Sequence, residues 1–215
     1  MTVVVGVDAC QGKWLAVVLR DRRFAHSRLA AEISSHASEW LDAVAIGVDI
    51  PIGLPATPGR DADRAARAFL GARRSSVFTT FPEDVLRAAT YEEAKAICAE
   101  RGWPKPSLQS FGMRHRILEV ESLATNNERV FEAHPEVSFR ELAGRPLASK
   151  RTALGLSERQ AELANVGIEL PADLPYPLDD VLDAAVAAWT ADRYARGEAR
   201  PFPSGGSGRR ATIWA

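Results

Sequence analysis

The sequence predicts an α/β domain built on a mixed five-stranded sheet, flanked by helices, with a helical insertion after the fourth strand. Three short apolar runs near the start are separated only by turns, which is typical of an antiparallel meander. A helical stretch then leads to a fourth apolar run, and this order favours a parallel crossover. Strand character disappears between about residues 58 and 127 and returns afterwards, which indicates an insertion.

The first four strands are expected at residues 3–7, 14–19, 24–29 and 45–50. Asp8 to Gly12 and Asp21-Arg22 are the predicted turns of the meander. Ser34 or Ser35 can cap a helix that runs to about Asp42 before the fourth strand. Because a crossover through this helix brings strand four beside strand one, Asp8 and Asp49 are predicted to be neighbours.

The insertion is expected to be helical at residues 61–70, 82–89, 91–100 and about 111–123. A fifth strand is predicted at residues 129–133, followed by a helix at 136–142. Ser157 with Gln160 forms a capping-box pattern for a helix to about residue 165. The last helix should begin at Asp179 or Asp180 and end near Gly197. We therefore expect one domain over residues 1–200 and a C-terminal tail, 201–215, that is a flexible link to a short docking or fraying segment.

The overall charge excludes a strongly basic protein, since 27 Lys and Arg residues face 28 Asp and Glu residues among 215. Nucleic-acid binding would therefore have to rest on local features. The two cysteines, Cys10 and Cys98, form neither a CxxC pair nor a zinc-spaced cluster, which fits a reducing compartment. No long apolar stretch or export signal is apparent, so a cytoplasmic protein without a membrane segment is expected, and its oligomeric state is open.

Two aspartates stand at the ends of apolar strands. Asp8 ends the first predicted strand, and Asp49 lies between Val48 and Ile50 in the fourth. Asp8 could simply begin a turn, but Asp49 is hard to explain by packing, because burying a lone carboxylate is costly. Two adjacent carboxylates repel each other and call for a cation. The pattern therefore predicts a site for Mg²⁺ or Mn²⁺, in which two ions about 4 Å apart can support phosphodiester hydrolysis.

A third carboxylate is predicted from the last helix. Asp180 and Asp183 are three residues apart and share a face with small alanines, which let the helix approach a sheet closely. Asp179 and Asp180 are at the helix start, where aspartates often compensate the dipole. Asp183 lies one turn deeper and is the stronger candidate ligand.

Five segments carry a family resemblance: GVDACQGKW from Gly6, GVDIPIGLP from Gly47, ARRSSVF from Ala72, FEAHPEVSF from Phe131 and DDVLDA from Asp179. They resemble an uncharacterised prokaryotic family of predicted nucleases with an RNase H-like fold. The order of elements is also distantly similar to RuvC-type resolvases. This resemblance implies a metal-dependent nuclease in which Asp8, Asp49, Asp180 and Asp183 bind metal. The aspartate at position 49, where resolvases have glutamate, and the long insertion depart from the resolvase pattern.

Further residues are candidates for catalysis or substrate binding. Glu132 and His134 are predicted on one face of the fifth strand, with Glu136 nearby, as supports of the metal ligands or as a proton-transfer pair. His134 could equally be a core histidine. The stretch between Arg60 and Arg74 has a local charge of +3, and arginine forks suit phosphate oxygens, although a solvated helix explains part of it. The predicted substrate-binding residues are Arg60, Arg67, Arg73, Arg74, Ser75, Ser76 and Lys150.

Two other functional classes remain open. A non-catalytic nucleic-acid-binding protein could keep this fold and its acids without turnover. An ATP-binding protein of the actin or sugar-kinase type would share the fold but needs a glycine-rich phosphate loop after the first strand. The segment from Ala9 to Lys13 lacks that pattern, so this class is disfavoured. The nuclease hypothesis accordingly carries the two-metal carboxylate mechanism, with the nature of the nucleic acid undetermined.

Overall fold

A computed structural model describes residues 1–205 and 210–215, with the backbone alone at residue 39. Two compact units are distinguished: the first comprises residues 1–49, 129–200 and 214–215, and the second residues 50–128 and 201–213. The strands are β1 (Val3–Cys10), β2 (Lys13–Arg20), β3 (Arg23–Ala30), β4 (Ala43–Val48), β5 (Val130–Ala133), β6 (Pro201–Phe202) and β7 (Ile213–Trp214).

The strand pairing confirms the predicted fold class. β1 pairs antiparallel with β2, and β2 with β3, which forms the expected meander. β4 runs parallel to β1, and β5 runs parallel to β4. In the residues described here the sheet order is β3-β2-β1-β4-β5-β7-β6, so two strands of two residues each extend the five that were predicted.

The strand ends differ from the sequence prediction at both key aspartates. β1 continues through Asp8 to Cys10, because residues 8–10 pair with residues 13–15 of β2. Asp8 therefore lies inside a strand and does not begin a turn. β4 ends at Val48, and Asp49 and Ile50 form the bend that follows it. Asp49 is nevertheless tied to the sheet, because its backbone N–H donates to the carbonyl of Val7 at 2.9 Å.

The helices of the first unit are α1 (Ala37–Trp40), α7 (Pro135–Ala143), α8 (Ala153–Asn165) and α9 (Leu178–Ala195). The sequence prediction was wrong about where two of these helices begin. A 3₁₀ turn, Ile33–His36, precedes α1 without a side-chain cap, so Ser34 and Ser35 do not cap a helix. α8 begins four residues before Ser157, because the hydroxyl of Thr152 accepts from the backbone N–H of Gly155 and supplies the cap.

Close packing of α9 against the sheet depends on two glycines. α9 packs on β1, β2 and β4. A Cβ at Gly6 would lie 2.0 Å from the carbonyl oxygen of Ala184, and one at Gly47 would lie 2.7 Å from that of Ala187. Only glycine permits this approach, since real Cβ atoms do not come so near a backbone. The helix that carries Asp183 is thereby fixed against the strands that carry Asp8 and lead to Asp49.

The second unit is mainly helical over residues 50–128, as predicted. Its helices are α2 (Asp61–Leu70), α3 (Glu83–Arg87), α4 (Tyr91–Glu100), α5 (Leu108–Gly112) and α6 (Arg114–Asn126), with a 3₁₀ segment at Gly71–Ser76. The single helix expected at 111–123 is thus two helices, interrupted at Met113. Among the described residues, no helix has the length and apolar character required to cross a membrane.

The chain end contains two short strands, Pro201–Phe202 and Ile213–Trp214. Thr212, Ile213 and Ala215 are buried, and the backbone groups of Arg200 and Ala215 exchange hydrogen bonds of 2.6 and 3.0 Å. The short terminal segment therefore docks and does not fray. The middle of the predicted flexible link, residues 206–209, lies outside the described residues.

Candidate metal and catalytic site

Two of the candidate ligands lie at the carboxyl ends of adjacent parallel strands. Val7 pairs with Val48, and the residues that follow this pair are Asp8, within β1, and Asp49, directly after β4. Asp8 is buried, with 7% of its surface exposed, and its Oδ1 accepts from the N–H of Ala9 at 2.6 Å. Asp49 is half-buried, and the surrounding protein atoms desolvate its carboxyl group. Parallel pairing at one sheet edge is what brings these two carboxyl groups together.

The last helix supplies two further carboxyl groups. Asp183 lies in the second turn of α9 and is 3% exposed, while Asp180 lies in the first turn and is half-buried. The thiol of Cys10 hydrogen-bonds to Asp180, and burial raises the pKa of that thiol to about 12. Burial also raises the pKa of Asp180. The cysteine is therefore a neutral donor here and does not supply a thiolate.

The aspartates Asp8, Asp49 and Asp183 all have a raised pKa, and the charge of Asp49 contributes to the shift at both of the others. Burial is the largest cause for Asp8, followed by the charges of Asp49 and Asp183, and its pKa is well above the usual range. Burial also raises the pKa of Asp49 and of Asp183 to about 7, and Lys150 partly opposes both shifts. Desolvation and like charge both disfavour the ionised carboxylates, so this cluster favours any cation that approaches it.

One such cation is part of the chain. The Nζ of Lys150 lies 2.5 Å from Oδ2 of Asp183, in a pair whose side chains are 36% and 4% exposed. Burial lowers the pKa of Lys150, but Asp183, Asp8 and Asp49 raise it by more, so it stays charged. Sequence analysis assigned Lys150 to substrate, and the structure pairs it with a candidate metal ligand.

The loop that carries Lys150 is held by the start of α8. The carbonyl of Ser149 accepts from the backbone and hydroxyl of Thr152 at 2.9 and 2.8 Å. A Cβ at Gly155 would lie 2.0 Å from that carbonyl oxygen, so glycine is needed for this contact. The N–H of Ala148 donates to Glu158 at 2.7 Å. These contacts fix the backbone on either side of the lysine.

A buried arginine that sequence analysis missed links this loop to α7. Arg159 is 1% exposed and donates to Glu136 at 2.8 Å and to the carbonyls of Ala148 and Gly155 at 2.9 and 2.8 Å. It could have been found as a charged residue at apolar spacing, since Leu156, Arg159 and Leu163 lie at i, i+3 and i+7 on α8. Glu136 is therefore engaged in an ion pair.

Strand β5 ends between Glu132 and His134, so only Glu132 is a strand residue. Glu132 is 3% exposed and pairs with Val48 in the β4–β5 ladder, and its charge contributes to the raised pKa of Asp49. β5 ends at Ala133, so His134 is the residue before α7 and not a strand residue. The expected alternation that placed both side chains on one strand face therefore does not apply.

The remaining predicted substrate-binding residues lie in the second unit. Arg60 is buried against Asp63, with contacts of 2.9 and 2.6 Å, and Arg67 donates to the carbonyl of Val77 and the hydroxyl of Thr79. These two arginines hold their own unit together. Half-buried Arg73 and the exposed residues Arg74, Ser75 and Ser76 form the 3₁₀ segment after α2.

The donor set fits a divalent cation in its chemistry. Carboxylate oxygens are the ligands that Mg²⁺ and Mn²⁺ prefer, and the ammonium of Lys150 is a stand-in cation among them. In the part of the chain that the structure describes, no three His, Cys, Asp or Glu side chains are already grouped at metal-binding spacing. Binding an ion would therefore require these side chains to adjust.

Comparison with known proteins identifies a family. Residues 6–206 match the family described as "Protein of unknown function (DUF429)", which confirms the expectation of an uncharacterised family. No curated protein matches the sequence. T. thermophilus RuvC in complex with Holliday junction substrate aligns at 14% identity over 92% of this chain and 98% of that chain, with a TM-score of 0.41. A second Thermus thermophilus RuvC structure aligns with the same identity and coverage and a TM-score of 0.36.

Proposed function

This chain belongs to the DUF429 family of proteins of unknown function, and we propose that it is a metal-dependent nuclease that hydrolyses nucleic-acid phosphodiester bonds. One observation carries the proposal. Asp8, Asp49 and Asp183 come from two parallel strands and a tightly packed helix, and burial together with the charges of neighbouring carboxyl groups raises the pKa of all three. A cluster of like charges costs folding stability, so a role as cation ligands is the simplest reason for it.

The acidic residues have distinct proposed roles. Asp8, Asp49 and Asp183 would hold one or two Mg²⁺ or Mn²⁺ ions, with Asp180 as a further ligand. A bound ion would supply an activated water and offset the charge that develops on the phosphodiester. Glu132 would maintain the negative potential at Asp49, which favours cation binding. Glu136 is a positioning residue, because its carboxylate is held by Arg159.

Phosphate recognition is the second part of the proposal. Lys150 lies at the carboxylate cluster and carries a positive charge, so it can contact the phosphate that is cut. Arg73, Arg74, Ser75 and Ser76 offer further donors on the surface of the second unit. Arg60 and Arg67 are better explained as structural residues of that unit, because buried or half-buried partners engage them. His134 is proposed as a proton carrier at the base of α7.

The two other functional classes differ in how the structure bears on them. An ATP-binding protein would need a phosphate loop after β1, but the β1–β2 connection is Gln11-Gly12 alone. Both residues have positive φ, at 49° and 81°, as in a two-residue hairpin turn, and this turn has a single glycine where a glycine-rich phosphate loop is expected. A non-catalytic binding protein would bind nucleic acid without cutting it, so a cleavage assay distinguishes it from a nuclease.

The test is incubation of purified protein with labelled DNA, RNA, hybrid and branched substrates, with EDTA, Mg²⁺ or Mn²⁺. We expect cleavage of at least one class with metal only, and its loss in Asp49→Asn and Asp183→Asn. Asp42→Asn is a matched control, because Asp42 is exposed just before the other end of β4. Binding without cleavage by the wild type would support the non-catalytic alternative and contradict the nuclease.

A further inference from the structure

We propose that Lys150 is a built-in counter-cation that competes with the divalent ion for Asp183, so that the site exchanges one cation for another when metal binds. The inference rests on the proposed function, because it assumes that Asp8, Asp49 and Asp183 form the metal site. It adds a role for Lys150 before any substrate is present.

The contact between the two side chains is the first step. The ammonium nitrogen is 2.5 Å from Oδ2 of Asp183, which is nearly fully buried. Asp8 and Asp49 are also close enough to act on Lys150 electrostatically. A divalent ion that uses the same carboxylates would meet a positive charge at contact distance, and in a poorly solvated site this repulsion is strong. Lys150 must therefore release Asp183, or the ion binds weakly.

The structure allows the release without unfolding the loop. The Lys150 side chain is 36% exposed, whereas its backbone neighbours are fixed: Ala148 by Arg159 and Glu158, and Ser149 by Thr152. A lysine stem has four rotatable bonds, so the ammonium can move into water while the loop stays in place. The anchored backbone keeps the freed ammonium near the site.

The sign of the effect separates competition from a merely structural ion pair. If the pair only held the loop, its removal would disorder Asp183 and weaken metal binding. If Lys150 competes, its removal takes away a rival cation and strengthens metal binding. By reciprocity, metal binding must also weaken the Lys150–Asp183 contact by the same factor.

The first experiment titrates Mn²⁺ into metal-stripped full-length protein without substrate, following free Mn²⁺ by electron paramagnetic resonance. We expect Lys150→Met to bind with a roughly tenfold lower dissociation constant than the wild type. Lys150→Arg keeps the charge and should remain near the wild-type value. Lys105→Met, at an exposed lysine of the second unit, is the control and should also remain unchanged. Circular dichroism of each metal-free variant verifies that it is folded.

A second measurement uses only the wild type, so it stands if Lys150→Met does not fold. Acetylation of lysines is followed by peptide mass spectrometry with and without Mn²⁺. We expect labelling of Lys150 to increase at least about threefold when Mn²⁺ binds, because the ammonium is released from Asp183, while Lys105 is unchanged.

The outcomes distinguish this inference from the proposed function. Equal or weaker Mn²⁺ binding by folded Lys150→Met, or unchanged labelling of Lys150 in wild-type protein that binds Mn²⁺, overturns the competition and leaves the metal site standing. Wild-type protein that binds no Mn²⁺ overturns the metal site, and with it the proposed function.

Discussion

Two buried aspartates, Asp63 in the second unit and Asp183 in the first, have opposite surroundings. Asp63 accepts two hydrogen bonds from the guanidinium of Arg60, at 2.9 and 2.6 Å, and one from the backbone N–H of Thr80 at 3.1 Å. Asp183 contacts a partly exposed lysine and lies near other carboxyl groups. A buried carboxylate with a dedicated guanidinium maintains structure, whereas one that shares its cation with like charges is poised to bind another ion.

The largest expected effect comes from breaking the matched pair. Arg60→Met leaves Asp63 buried without its cation, so we expect a loss of about 3–5 kcal/mol in the free energy of unfolding. Urea denaturation followed by circular dichroism measures it. Arg64→Met is the control, because its pair with Asp61 is exposed at 61% and 76%, and should change stability by less than about 0.5 kcal/mol. Similar losses in both variants would contradict a structural role specific to Arg60.

Metal should stabilise the site that lacks a matched cation. Because Mn²⁺ binds the folded carboxylate cluster far better than the open chain, saturation at about 100 times the dissociation constant should add roughly 2.7 kcal/mol. Thermal unfolding with EDTA or Mn²⁺ measures the shift. NaCl at the same ionic strength as the Mn²⁺ solution is the control for a general salt effect. If Mn²⁺ did not raise the unfolding temperature, Asp183 would not differ from Asp63 in binding a metal ion.

A smaller effect is expected when one ligand loses its charge. Asp49→Asn relieves repulsion in the metal-free protein, because burial and like charge raise the pKa of Asp49 to about 7. The variant should therefore melt no lower than the wild type in EDTA. With an affinity about tenfold weaker, it should gain only about 1.4 kcal/mol at the Mn²⁺ concentration that gives the wild type its full gain. Asp42→Asn should gain as much as the wild type, and an equal gain in Asp49→Asn would exclude that residue as a ligand.

Sequence patterns predicted the parts of this molecule that depend on local signals. The meander follows from three apolar runs joined by short turns, and the β1–β4 neighbourhood follows from crossover handedness. Asp8 and Asp49 could be singled out because acidic residues are rare in apolar strands. Whether Asp8 lies inside β1 depends on how far β2 continues to pair with it, which an aspartate in turn-like surroundings does not reveal.

Long-range contacts account for what the sequence did not predict. Lys150 lies 33 positions before Asp183, and no local pattern relates the two. The requirement for glycine at positions 6 and 47 arises from the backbone of the distant helix α9, so each looked like an ordinary glycine. Ser157 was predicted as a cap because it fits the capping box, but Thr152, five residues earlier, offers an equivalent hydroxyl and also hydrogen-bonds to the carbonyl of Ser149 in the preceding turn.

The smallest expected effect on stability comes from the arginines around the 3₁₀ segment. Like Asp63 and Asp183, two of these arginines differ in how firmly the surrounding protein engages them. Arg67 is engaged by Val77 and Thr79, whereas the side chain of Arg74 is exposed. Arg74→Gln should therefore change the free energy of unfolding by less than about 0.5 kcal/mol, and Arg67→Gln should cost about 1–3 kcal/mol through lost hydrogen bonds.

If Arg74 contacts a phosphate, its loss should lower the slope of log affinity against log salt concentration by about 0.9 for duplex DNA, or about 0.7 for a single strand. Fluorescence anisotropy at several NaCl concentrations, with catalytically impaired Asp49→Asn as the background and Ca²⁺ in place of Mn²⁺, measures that slope without cleavage. An unchanged slope would assign Arg74 to the solvated surface and limit phosphate recognition to other residues, because counterion release registers every phosphate contact regardless of sequence.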